Sequence, residues 1–337
     1  EVTESALKRI NQQDPQYKSY ATVMADQARS SARAAEQAIA AGNYLGPLHG
    51  VPIAVKDLCF TKGVATMGAT KSLMDHVPDF DCTVVQRLNA AGAVILGKLN
   101  LTEGAMAGYN PEFQVPVNPW GAHLWSGASS SGSGVATAAG LCYGSLGSDT
   151  GGSIRFPSAA CGIVGLKPTY GRVSRSGVVT LSWSQDHVGP MTWTVEDSAY
   201  MLQAIAGHDP KDPTSSRAPV PDYSLSLRED IRGKVIGLPR HYFFDPDPGV
   251  NAEVVAIVEK AVVELEKLGA KIETVELPSL EYVRAANTII MVSEAYAFHE
   301  PNLKSRPQDF GEIVRARFRI GGLLSAGSLM LTDQAIP

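Results

Sequence analysis

Residues 234–277 read KVIGLPRHYFFDPDPGVNAEVVAIVEKAVVELEKLGAKIETVEL, and this stretch sets the fold class. Lys234 to Leu238 and Lys271 to Leu277 are short runs that predict strands. Between them, residues 251–268 put Val254, Ile257, Val258, Ala261, Val262, Leu265 and Leu268 on one helical stripe. Strands that alternate with helices predict a largely parallel sheet clothed by helices.

The same alternation runs upstream. The Ala-rich segment 20–41 carries Met24, Ala28, Ala35 and Ile39 near one helical stripe, with Gly42 as its stop. A turn at 46–50 leads into Val51-Pro52-Ile53-Ala54-Val55-Lys56-Asp57, a buried strand with a lysine near its end. Helices are expected at 82–91, 135–141 and 195–206, and strands at 93–98 and 143–146. The expected class is α/β: a large mixed, mostly parallel, twisted sheet core with helices on both faces. Two intervals interrupt the pattern. Residues 108–125 form a long connection rich in Asn, Pro and aromatics, and 209–224 is a Pro-studded segment that reads as a loop or subdomain joint. One continuous unit over residues 1–337, with its core motifs in 45–190, is the expected organisation, and a further C-terminal part is allowed for.

With 44% hydrophobic and 19% charged residues, the chain has ample material for a core. A net charge of −5 supplies no general field for nucleic acid or an anionic membrane, so neither is expected as a partner. Cys59, Cys82, Cys142 and Cys161 are irregularly spaced and predict reduced, buried thiols. No apolar run has the length of a membrane span, and residues 1–20 lack a signal-peptide pattern, which makes a cytoplasmic location the default expectation.

Two stretches concentrate hydroxyls and glycines: Ser126-Gly127-Ala128-Ser129-Ser130-Ser131-Gly132-Ser133-Gly134 and Gly147-Ser148-Asp149-Thr150-Gly151-Gly152-Ser153-Ile154-Arg155. Such runs are usually linkers, but the apolar flanks of the first argue for a packed loop. A serine hydroxyl is a nucleophile only when something takes its proton. His49, His76, His123, His187, His208, His241 and His299 are all candidate bases, yet the GxSxG elbow of Ser-His-Asp hydrolases is absent. Lys56 is the alternative. An isolated lysine ordinarily snorkels to water, but burial at the end of an apolar strand lowers its pKa and populates the neutral amine. Gly151 and Gly152, just before Ser153, let a turn aim several backbone amides at one point, as an oxyanion hole requires. A phosphate-binding loop is the weakest alternative: Gly92 to Leu99 nearly matches GxxxxGK[ST], but Leu99 replaces the hydroxyl residue and the middle residues are strand formers.

Taken together, GVPIAVKD around Lys56, the first Ser/Gly run, GSDTGGSIR and GLKPTYGRVS resemble the amidase signature family, in that family's order and over roughly residues 45–190. The resemblance implies the amidase signature fold and a Ser–cis-Ser–Lys triad. Ser153 would be the nucleophile, Ser129 the bridging serine after a cis peptide bond from Ala128, and Lys56 the base. It also implies oxyanion-hole amides from Thr150, Gly151, Gly152 and Ser153, supported by Ser130, Asp149 and Arg155. Where the family form GGSSGG is usual, this chain has Ala128 and Ser131, while Ser129 keeps the family-like offset of 24 residues to Ser153. The implied activity is hydrolysis of a small amide, with aryl amides, esters and carbamates among the options. It needs no metal or organic cofactor, its partner is the small-molecule substrate, and a homodimer is an allowed assembly. The runner-up is the glutamine amidase component of a tRNA-dependent amidotransferase. Such components typically carry glutamine after the motif's arginine, where this chain has Phe156.

Overall fold

The structure is a computed structural model that describes residues 1–245, 249–325 and 327. Its elements run α1 (Val2–Tyr17), β1 (Tyr20–Val23), α2 (Ala25–Ala40), β2 (Pro52–Lys56), α3 (Thr83–Ala90), β3 (Val94–Leu99), α4 (Ser131–Ala138), β4 (Gly144–Asp149), α5 (Arg155–Cys161), β5 (Val164–Gly165), β6 (His187–Thr192) and α6 (Val195–Ile205). Then follow α7 (Tyr223–Ser226), β7 (Val235–Leu238), α8 (Arg240–Phe243), α9 (Ala252–Lys267), β8 (Lys271–Thr274), α10 (Leu280–Ser305) and α11 (Glu312–Gly321).

Six strands form one mixed sheet in the order β1-β3-β2-β4-β6-β5. Its centre is parallel, β2 lying between β3 and β4. The outer pairings β1–β3, β4–β6 and β5–β6 are antiparallel. Parallel character is therefore narrower than the helix–strand alternation implied. The chain reaches β6 from β4 through a long irregular path instead of one crossover helix, and β1 lies hidden at the head of the Ala-rich segment. There Tyr20, Thr22 and Val23 pair with Leu99, Lys98 and Gly97, and the helix starts only at Ala25.

Both faces of the sheet are covered. On one, Ala54, Val94 and Leu96 pack with Ala6, Leu7 and Ile10 of α1, Ala28 of α2 and Ala136 of α4. On the other, Ile53, Val55 and Ile95 pack with Val84, Val85 and Leu88 of α3 and Met201, Leu202 and Ile205 of α6. This split follows the two-residue period of a strand. A third cluster joins α10 and α11 to Leu58, Leu101 and Met106.

Two other boundaries differ from the expectation. Helix α4 begins at Ser131, four residues before the expected start, so half of the Ser/Gly run is helical and buried. Gly132 permits this: a Cβ there would lie 2.4 Å from the Asn100 carbonyl oxygen and 2.6 Å from that of Ser19. Strand β4 runs on to Asp149, which draws the start of the second motif into the sheet. The segment 209–224 begins pinned, since Asp209 Oδ2 accepts from Thr83 Oγ1 at 2.6 Å and Ser174 Oγ at 2.5 Å. The unit that set the fold class forms as read, with β7 and β8 parallel. Its helical stripe nevertheless lies open, Val254 being 54% and Ile257 59% exposed. No helix among the described residues is long and apolar enough to cross a membrane.

Candidate active site

Strand parity puts Pro52, Ala54 and Lys56 on the face of β2 that meets α4. Lys56, 1% exposed, thereby reaches the start of that helix. Its Nζ lies 2.7 Å from Ser129 Oγ, 2.9 Å from Ser130 Oγ and 2.9 Å from Ser148 Oγ. The peptide bond between Ala128 and Ser129 is cis. No carboxylate of the described residues pairs with this amine. Burial pushes the Lys56 ammonium down to about 7, while Asp186, Cys59 and Asp149 each pull the other way.

The surrounding hydroxyls are not equivalent. Ser130 Oγ donates to the Ser148 carbonyl oxygen at 3.1 Å, so its hydrogen is already committed and it meets Lys56 as an acceptor. Ser131, the additional hydroxyl of this chain, pairs at 2.9 Å with Tyr109 from the long connection. Ser129 Oγ has no partner but Lys56 among the described residues, and it borders the same cavity as Ser153.

At the end of β4 the turn 150–153 is held by two carboxylates. Asp149 accepts from the Gly152 N–H at 2.7 Å and the Ile154 N–H at 3.1 Å, and Arg155 donates to it through Nε at 3.0 Å and Nη2 at 2.9 Å. Burial opposes ionisation, but these donors hold the Asp149 carboxyl below the usual range. Thr150 Oγ1 donates to Asp186 Oδ1 at 2.5 Å. The backbone N–H groups of Thr150, Gly151 and Ser153 have no acceptor among the described residues. Gly152 departs from the expectation: its amide is spent on Asp149 and is not available to an oxyanion. It is still required as glycine, with φ of +124° and the Phe156 ring 2.3 Å from where a Cβ would sit.

Ser153 is half-buried, and its hydroxyl makes no hydrogen bond among the described residues. It opens with Ser129 onto a cavity of about 230 Å³ walled by Met106, Trp125, Phe156, Leu181 and Met291. No histidine bonds to either serine among the described residues; His187 contacts the Asp149 carbonyl through Nδ1 at 3.1 Å. The described residues hold no cluster of three or more His, Cys, Asp or Glu suited to a metal. Beneath the site, Lys98 of the near-match phosphate motif lies inside β3, ion-paired with Asp57 at 2.9 Å.

Sequence reasoning gave no individual role to Ser148 or Asp186 and missed the α10 wall. Ser148 lies inside the quoted second motif, and the parallel pairing of β4 with β2 at Ala54–Ser145 and Val55–Leu146 carries it toward Lys56. The others depend on tertiary contacts that leave no local pattern.

A doubly covered α/β sheet that buries a lysine among serine hydroxyls, beside an unpartnered serine at the mouth of a cavity, defines the class of serine-type amide hydrolases. The chain belongs to the Amidase family, whose profile matches residues 1–335. It is 49% identical to a putative amidase AmiD from Mycobacterium tuberculosis, over 97% of this chain and 68% of that one. It is 45% identical to a glutamyl-tRNA(Gln) amidotransferase subunit from Moorella thermoacetica, over 95% of this chain and 69% of that one. The peptide amidase of Stenotrophomonas maltophilia superposes with a TM-score of 0.83 at 33% identity, covering 98% of this chain and 71% of that chain.

Proposed function

We propose that this chain hydrolyses the C–N bond of a small amide through an acyl-enzyme on Ser153, with Ser129 and neutral Lys56 as its proton relay. The observation that carries the reading is the 2.7 Å approach of Lys56 Nζ to Ser129 Oγ, at a depth that brings the lysine down to about 7. The neutral amine offers a lone pair, and Ser129 stands between it and the cavity. Ser153 Oγ bonds to the carbonyl carbon while its proton passes through Ser129 to Lys56. Charge on the carbonyl oxygen is met by the N–H groups of Thr150, Gly151 and Ser153, with Asp149 and Arg155 holding the turn; one such donor is worth about 10²–10³ in rate. Collapse breaks the C–N bond, and the amine leaves with the proton returned by the relay. Water then repeats the sequence on the ester, releasing the acid and restoring Ser153.

The cavity of about 230 Å³ falls below the roughly 300 Å³ at which drug-sized sites begin, and its aromatic and aliphatic walls favour a compact apolar or aryl acyl group. The test is a panel of aliphatic amides, aryl amides, carbamates, esters and glutamine, with amine or ammonia release measured. Turnover of a small amide by the chain alone, lost in Ser153→Ala, is the expected result. The amidotransferase relatives keep glutamine on that panel. Against that second reading, Phe156 leaves an apolar ring 6.1 Å from Trp125 at the cavity edge. Ammonia release from glutamine only with a partner protein present would reverse the choice.

A further inference from the structure

We propose that Asp186, outside both serine motifs, is a positioning residue of this site: it fixes the turn that presents the Thr150 and Gly151 amides. The inference rests on the acyl-transfer reading above and adds a residue to it. Asp186 sits immediately before β6, in the segment that returns beside β4. Its two oxygens are divided between the walls of the catalytic cavity. Oδ1 takes the Thr150 hydroxyl at 2.5 Å, and Oδ2 takes the Leu181 and Ser182 amides at 2.9 and 3.0 Å. Thr150 and Leu181 both border the cavity that holds Ser129 and Ser153. Asp186 itself borders a second cavity, of about 390 Å³, that reaches Ser148, a hydrogen-bond partner of Lys56.

The turn is thus tied at both ends. Asp149 captures Gly152 and Ile154, and Asp186 captures Thr150, which leaves the amides of Thr150, Gly151 and Ser153 pointing free. A donor fixed before the reaction costs nothing to reorganise as charge develops on the substrate oxygen. Against burial, which dominates, Asp186, Cys59 and Asp149 favour the Lys56 ammonium, Asp186 foremost. Burial raises the Asp186 carboxyl above its usual range, while the Thr150 hydroxyl, the Ser182 and Leu181 amides and Arg175 favour its ionised form. Removing an ionised Asp186 lets Lys56 lose its proton at lower pH, even as the turn loosens.

The experiment compares the wild type, Asp186→Asn and Thr150→Val. It follows the rate at which a fluorophosphonate labels Ser153 against pH, together with kcat and KM on an active amide. For Asp186→Asn, kcat is expected to fall about 10- to 100-fold with little change in KM, and any movement of the acid limb of labelling to be toward lower pH. For Thr150→Val, kcat falls about 10-fold while the acid limb stays in place, and this second variant decides the positioning role should Asp186→Asn fail to fold. Wild-type kcat in Thr150→Val, or in a folded Asp186→Asn, overturns the proposal. Failure of the wild type to label at Ser153 is a different result, and it overturns the acyl-transfer reading instead.

Discussion

At the scale of single residues the proposed mechanism turns on Lys56, whose environment fixes a pH signature. The amine works only when neutral, so with its ionisation near 7 the rate of the chemical step rises with pH and levels off above about 8. Lys56→Ala should stay folded and lose about 10²–10⁴ in kcat; retained turnover would point to another base. Stability carries the same signature. Folded Lys56 is lowered to about 7, whereas an unfolded lysine titrates near about 10.4. Between those values the unfolded chain binds more protons, so stability gains from this residue as pH rises through that window. Urea unfolding at pH 7 and 9 should therefore show a smaller gain for Lys56→Met than for the wild type. The family resemblance implied the roles of Lys56, Ser129 and Ser153; the structure sets Lys56 against Ser129 and puts Ser129 and Ser153 on one cavity. The fate of the Gly152 amide was hidden, because its capture by Asp149 is a matter of how the turn closes. Asp186 was hidden for another reason: it meets Thr150 from 36 positions away.

Helix α4 is the element that turns a flexible-looking run into a site. Its first turn is made of serine and glycine, poor helix formers that stay helical because they are buried against β3 and β4. Gly132→Ala tests this. The added methyl meets backbone oxygens of Asn100 and Ser19, which cannot yield as side chains do. The variant should lose about 1–3 kcal/mol in urea unfolding, with reduced kcat as Ser129 shifts; wild-type stability would show that α4 can slide. Composition alone pointed to a later start for this helix, since low-complexity serine and glycine carry no periodic signal. Strands β2, β3, β4, β7 and β8 and the apolar helices α3, α6 and α9 were legible because their periodicity is strong, whereas β5 and β6 were not read. Strand β1 was absorbed into a helix because it is only four residues long and runs straight into an alanine-rich segment.

Across the whole molecule, α10 and α11 close one wall of the cavity and are anchored through a buried histidine. His299 is 1% exposed, its Nε2 has no partner, and it stacks on Phe318 at 4.5 Å. Burial pushes it down to about 4, so the unfolded chain, whose histidine titrates near about 6.5, takes up that proton first. Stability is then lost as pH falls from about 6.5 toward 4, by about 3 kcal/mol from this residue. His299→Phe should lose less melting temperature than the wild type between pH 7 and 4.5, and equal losses would remove His299 as the cause. This wall was not legible in the sequence, because α10 mixes polar and apolar residues without a clear stripe and touches the catalytic segments only through tertiary contacts such as Asn287 with Gln185. In the proposed mechanism the lysine, the relay and the oxyanion-binding turn all serve Ser153. The most direct measurement is intact-protein and peptide mass spectrometry after exposure to a fluorophosphonate at pH 8. A single adduct mapped to Ser153, absent from Ser153→Ala and slowed in Lys56→Ala, is the predicted result; an undiminished adduct on Ser153→Ala would contradict it.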